Sequence, residues 1–207
     1  FSNIGDIPAS QLGHDFKIFD LNGDTIPDIL ASQTSQEITA QSTLSLQHVL
    51  WGGDRTWPIS IESGNIPAEL GVTMVSEEEQ TGLGMQLEVM PDSNSNGYPE
   101  LLIVQNQYGF NERHEVFKLD AALIEDGLSI GDSMVAQGDA ERITMAESSE
   151  DFFMHVLGDV NGDGLSEFTL SASEMSSNGL EENGEFYLVY GYDQLYPQAF
   201  KVSDDSE

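Results

Sequence analysis

The sequence predicts an all-β chain of three four-stranded antiparallel units, arranged as β-propeller-type blades but forming only an incomplete ring on their own. Three observations predict it. An acidic signature recurs at 20–28, 92–100 and 159–167, its first oxygens spaced by 72 and 67 residues. Each copy lies between two short apolar runs, the pattern of a β-hairpin closed by a Gly/Asn/Asp connection. An aromatic-glycine segment also recurs. Trp51, Gly52, Asp54, Trp57 and Pro58 are matched in order by Tyr190, Gly191, Asp193, Tyr196 and Pro197, each set starting 31 residues after its loop.

The units are placed at about 13–75, 82–147 and 151–203 of a single 1–207 domain. Hairpin strands are expected at 16–19 and 29–31, at 87–90 and 101–104, and at 152–157 and 168–170, because these runs are apolar, β-branched or aromatic. Third strands are expected at 46–50, 116–119 and 186–189. Fourth strands are expected at 59–61 and 199–202, with 130–135 as the candidate in the middle unit. Residues 120–126 suit one helical turn, and the acidic run at 76–80 reads as a solvated loop. The polar stretches 32–42, 138–151 and 175–184 read as linkers, and 204–207 as a frayed tail. The arm at 7–13 resembles the unit end at 66–71, as the tail of a preceding unit or an arm that pairs with the last blade would.

The net charge is −31, from 37 acids against six bases. Such a chain repels nucleic acid and anionic membrane surfaces. No apolar run is long enough to insert in a membrane. There is no cysteine, which excludes disulfides, thiolate chemistry and cysteine-based zinc sites. The chain opens on Phe1 with no leader pattern, which predicts a processed product or an excerpt.

The acidic loops carry the chemistry. Oxygen side chains fall at positions 1, 3, 5 and 9 of each, and a hard cation such as calcium takes six to eight oxygens. The first loop offers Asp20, Asn22, Asp24 and Asp28, with the Ile26 carbonyl at position 7. The second offers Asp92, Asn94, Asn96 and Glu100 with the Tyr98 carbonyl. The third offers Asp159, Asn161, Asp163 and Glu167 with the Leu165 carbonyl. An EF-hand would need a bidentate glutamate at position 12 between helices. Position 12 here is Ala31, Ile103 or Leu170, so the loops are expected to close on themselves within hairpins. The competing reading is an Asx-rich turn that holds no ion. Thr25 stands where glycine is expected, so the first turn is strained or differently shaped. Asn96 replaces an acid, so the second site is the weakest.

This pattern between strands resembles the FG-GAP repeat of integrin α-subunit propellers and related bacterial surface proteins. The resemblance spans all three units. Gly13 and Gly84 fall where the family has its Phe-Gly pair, each after a leucine, and the Gly-Ala-Pro element is lost. The resemblance implies up to three structural calcium ions, a secreted or cell-surface location, and adhesion or binding of an extracellular protein or glycan.

No catalytic constellation is legible. His14, His48, His114 and His155 lack metal-ligand spacing, and the aromatic residues Trp51, Trp57, Tyr190 and Tyr196 suit blade packing. The expectation is therefore a non-enzymatic calcium-binding adhesion or ligand-binding module. Two alternatives stand beside it. One is a self-assembling protein of a surface filament or layer, whose partners are further copies completing a propeller or polymer. The other is the non-catalytic propeller part of a secreted hydrolase or lyase.

Overall fold

A computed structural model describes residues 12–34, 44–54, 66–79, 81–107, 113–145, 153–172, 184–192 and 200–202. The chain is all-β, with strands in three sheets. Sheet one is a meander of β1 (Leu12–Phe19), β2 (Asp28–Gln33), β3 (Leu44–Leu50) and β4 (Gly71–Glu79). Sheet two follows with β5 (Leu83–Met90), β6 (Glu100–Gln107) and β7 (Arg113–Asp120). A 3-10 turn at Ala121–Leu123, a two-residue strand β8 (Ser129–Ile130) and a short helix α1 (Asp132–Gln137) come next. The fourth strand of sheet two is β9 (Ala140–Met145). Sheet three holds β10 (Phe153–Gly158), β11 (Glu167–Ala172) and β12 (Glu185–Val189). The last strand is β13 (Phe200–Val202).

Period-two alternation explains how the sheets stack. Leu87, Val89, Leu101, Ile103, Phe117 and Leu119 point from sheet two into a core shared with Leu30, Val49 and Met74 of sheet one. The alternate residues Met90, Leu102, Val104, Val116 and Ile143 form a second core with Met154, Phe168, Leu170 and Val189 of sheet three. Sheet two is thus apolar on both faces, as a strand buried on both sides must be. Its first strand is tied to both neighbours. Asp15 Oδ2 accepts the Leu87 N–H at 2.8 Å, and Gln86 bridges the Met154 backbone, its Oε1 accepting the Met154 N–H at 2.8 Å.

Glycine at one first-strand bulge has a packing reason. The register shifts between Leu12 and Phe16 and between Leu83 and Gln86, with Gly13 and Gly84 in left-handed conformation there. A Cβ on Gly84 would come within 2.8 Å of the Gln47 amide and of Ser32 Cβ in sheet one, so glycine lets the two sheets close.

Several expected elements fall elsewhere. The fourth strand of the first unit is β4, and 59–61 lies outside the described residues. The acidic run Glu77, Glu78 and Glu79 is strand rather than loop. It ends β4 just past Val75 and Ser76, the two residues that β8 pairs, and Glu77 Oε2 accepts the Ser133 N–H at 2.8 Å. The candidate at 130–135 divides into β8, which pairs in parallel with β4 of sheet one, and helix α1. Gly138, at φ 84°, ends that helix, and the true fourth strand β9 occupies part of the stretch read as a linker. Its charged residues misled the reading because they are paired: Arg142 lies 3.5 Å from Glu115, and Glu141 accepts from the Tyr192 hydroxyl at 2.7 Å. β13 does not complete sheet three. It pairs in parallel with β9 on the edge of sheet two, Phe200 opposite Ile143.

Candidate metal centres

All three acidic stretches are the connections of first hairpins, β1–β2, β5–β6 and β10–β11, as their spacing predicted. They also share one conformation. Positions 4 and 6 are left-handed in every copy: Gly23 and Thr25, Ser95 and Gly97, Gly162 and Gly164. Thr25 therefore adopts the same turn as its glycine counterparts, at φ 69°, a region costly for a β-branched residue. Ser95, at φ 62°, is a second such residue that the sequence reading did not single out.

The side chains at positions 1, 3 and 5 organise each turn. The position-1 carboxylate accepts the N–H of position 6: Asp20 from Thr25 at 2.8 Å, Asp92 from Gly97 at 2.7 Å, and Asp159 from Gly164 at 2.9 Å. The asparagine at position 3 accepts from position 5, as Asn22 does from Asp24, Asn94 from Asn96, and Asn161 from Asp163. Position 5 accepts from position 7 at 2.8 Å in each copy, from Ile26, Tyr98 and Leu165. These bonds hold the oxygens of positions 1, 3 and 5 along one short arc of backbone.

The acid at position 9 performs a different task. Asp28 is fully buried, its Oδ2 accepting the Leu21 N–H at 2.9 Å and its Oδ1 the Gly52 N–H at 2.7 Å. Glu167 repeats this, taking the Val160 N–H at 2.7 Å and the Gly191 N–H at 3.3 Å. The carboxylate thus ties its own loop to the exit of the third strand. This explains the recurrent aromatic-glycine segment. A Cβ on Gly52 would lie 2.3 Å from the Pro27 carbonyl oxygen, and one on Gly191 would lie 2.6 Å from Leu165 Cβ. Trp51 packs against the core between sheets one and two. Trp57, Asp193, Tyr196 and Pro197 lie outside the described residues.

The second loop departs from this plan. Glu100 takes the Ser93 hydroxyl at 2.6 Å and the Ser93 N–H, while Ala121, in the place of Gly52, donates to the Pro99 carbonyl. Asp120, in the place of Trp51, reaches over the loop. Its Oδ2 accepts from the amides of Asn94, at 2.8 Å, and of Asn96. The loop that lacks an acid at position 5 therefore draws one from the end of β7. Sequence reading missed Asp120 because it stands outside the repeated nine residues. Its signal was an acid where the other units carry an aromatic.

Charge follows burial. Asp28 is held above the usual carboxylate range by burial, reinforced by Asp24 and Asp20, while the Gly52 and Leu21 N–H groups pull it down. Burial also raises Glu100, opposed by its Ser93 bonds and by Lys118. Lys118 is itself buried and lowered, with Glu100 and Glu141 beside it and the Tyr192 ring 3.9 Å from its Nζ. This group joins sheets two and three.

The donor set suits a hard cation, being all oxygen with acids and amides combined. Among the described residues, no three His, Cys, Asp or Glu side chains converge as a cage. The reason is the division of labour just described, because the position-9 acid faces the backbone and an amide fills position 3. Among the described residues the histidines gather no ligand set. His48 is buried and bonded to Thr73 and Gln33, His114 contacts Asn106, and His155 lies 3.5 Å from Glu88. Comparison with known protein families found no match, and neither did comparison with curated proteins.

Proposed function

We propose that this chain is an extracellular calcium-binding adhesion or ligand-binding module of FG-GAP-like propeller blades, non-catalytic, with calcium in a structural role. The observation that carries the reading is the shared conformation of the three loops, left-handed at positions 4 and 6 even where threonine or serine must adopt it. Unrelated turns would not keep one backbone path at such a cost. Asp20, Asn22 and Asp24, their counterparts in the other loops, and the carbonyls of Ile26, Tyr98 and Leu165 would hold the ion. Asp28, Glu100 and Glu167 at position 9, already accepting from N–H and hydroxyl groups of the protein, would brace each loop behind the ion. Bound calcium supplies positive charge among clustered carboxylates, and its binding energy becomes folding energy.

The test is the melting temperature of the full chain, titrated with calcium after chelation. Stability should climb with calcium concentration, and Asp159→Asn should remove part of the gain. A melting temperature indifferent to calcium refutes the reading. The second reading, a self-assembling surface protein, is favoured by one separate observation, the state of the two outer sheet faces.

A further inference from the structure

Loop position and strand register match the three sheets residue by residue, and two outer faces stay exposed where their counterparts are covered. Counting from each loop's first oxygen, position 10 faces the preceding sheet and position 11 the following one. Position 11 and its third-strand neighbour are Leu30 and Val49 in sheet one, Leu102 and Lys118 in sheet two, Thr169 and Leu188 in sheet three. Val49 and Lys118 are buried because the next sheet covers them, whereas Leu188 is 40% exposed. One row further, Gln47 and Val116 are fully buried, but Phe186 is 69% exposed. Trp51 packs against the first core, but its counterpart Tyr190 is 60% exposed.

The opposite face of sheet one gives the mirror result. Leu87 and Met154, at one place in the first strand, are fully buried against the preceding sheet, while Phe16 is 58% exposed. Val89 is buried, while Ile18 is 60% exposed. A Cβ on Gly84 would strike the preceding sheet, and one on Gly13 meets nothing within 4 Å.

We propose that these two faces bind each other: sheet three of one copy covers sheet one of a second copy, head to tail. The contact continues the series already present twice within the chain, each sheet laying its following face on the next sheet's preceding face. That continuity selects the occupant, since one molecule carries both halves of the same type of interface. Charge agrees. In a chain of net charge −31, the paired rows Phe16, Ala31, His48, Thr73 and Ile18, Ile29, Leu50, Gly71 contain no acid, nor do Phe153, Ser171, Phe186 and His155, Thr169, Leu188. One difference from the internal contacts is that Phe153 stands where Asp15 and Gln86 bond the next sheet, so the outer contact is more apolar. A heterologous contact of this kind closes a ring if its rotation permits and otherwise extends as a filament. The contact between copies does not depend on metal binding.

Light scattering on the full chain across a wide concentration range reads the outcome. The wild-type chain should gain mass with concentration. Phe186→Glu with Leu188→Glu should be monomeric, and so should Phe16→Glu with Ile18→Glu. All four side chains are exposed, so the fold should survive, which a melting curve checks. Mixing the two variants should then give a one-to-one complex that grows no further, because each retains the face the other has lost. A wild-type chain that stays monomeric, a mixture that does not associate, or assembly unaffected by either pair overturns the proposal.

Discussion

Thr25→Gly should stabilise the protein. Thr25 sits at φ 69°, where an L-residue with a branched Cβ is strained by about 1–2 kcal/mol. Its counterparts Gly97 and Gly164 adopt φ of 92° and 93°, and a Cβ at either would meet nothing within 4 Å. The cost of threonine therefore lies in its own backbone and not in a clash. The hydrogen bond from the Thr25 N–H to Asp20 is a backbone bond and survives the change. Glycine is more costly to order, by about 0.5–1 kcal/mol. The net gain should be about 0.5–1 kcal/mol, a rise of a few degrees in melting temperature for a chain of this size. Urea unfolding in the presence of a chelator isolates the turn from any metal effect. Gly164→Thr, the reverse change, should lose a similar amount. A loss of stability in Thr25→Gly, or a silent Gly164→Thr, would refute the common left-handed turn.

Two further outcomes follow from the same geometry. Gly52→Ala and Gly191→Ala should each cost about 3 kcal/mol in denaturant unfolding, because the new methyl displaces the N–H from a buried carboxylate and leaves that oxygen unpaired. His48 should make the fold acid-sensitive: burial lowers it to about 4, so it stays neutral in the fold while the unfolded chain takes up a proton near pH 6.5. Stability from this residue is present above pH 6.5 and lost as pH falls toward 4, by about 3 kcal/mol in full. Asp28 and Glu100, raised by burial, act in the opposite sense, so the comparison is His48→Gln against wild type across that range. Parallel pH profiles for the two proteins would contradict it.

The hairpins and third strands were legible because they obey local rules. Each loop is flanked by apolar runs of strand length, and β3, β7 and β12 each cover the expected third-strand run. Of the outer strands, 199–202 was read as a strand but not its partner, and β4 and β9 were not legible, for two physical reasons. β4 ends in three glutamates and β9 carries Glu141 and Arg142, so neither reads as a strand until its partners are known. β8 and β13 pair in parallel with β4 and β9, across long stretches of sequence that no local pattern specifies. At the loops, residue types placed the acids and amides of positions 1, 3 and 5 on the connection of each first hairpin. They did not predict that the position-9 acid binds two backbone N–H groups, because one of those donors lies 24 residues away at Gly52.

That bond also separates the two properties proposed for this chain. Asp28 and Glu167 join loop to third strand within one sheet, so metal at a loop acts first on the internal order of that sheet. The outer faces are built from Phe16 and Ile18 at one end and Phe186 and Leu188 at the other, none of which is a loop residue. If calcium stiffens the loops and apolar faces join the copies, loop variants should change melting temperature at fixed mass, and face variants should change mass at fixed melting response. The middle sheet is where the two meet. Asp120 crosses the second loop at the end of β7, two residues beyond Lys118, which is buried among Glu100, Glu141 and Tyr192. The first loop also reaches a neighbouring sheet, because Leu21 is buried in the core between sheets one and two and a Cβ on Gly23 would lie 3.2 Å from the Gly97 carbonyl oxygen, so occupancy of the first and second loops should be felt in the packing of sheets one and two.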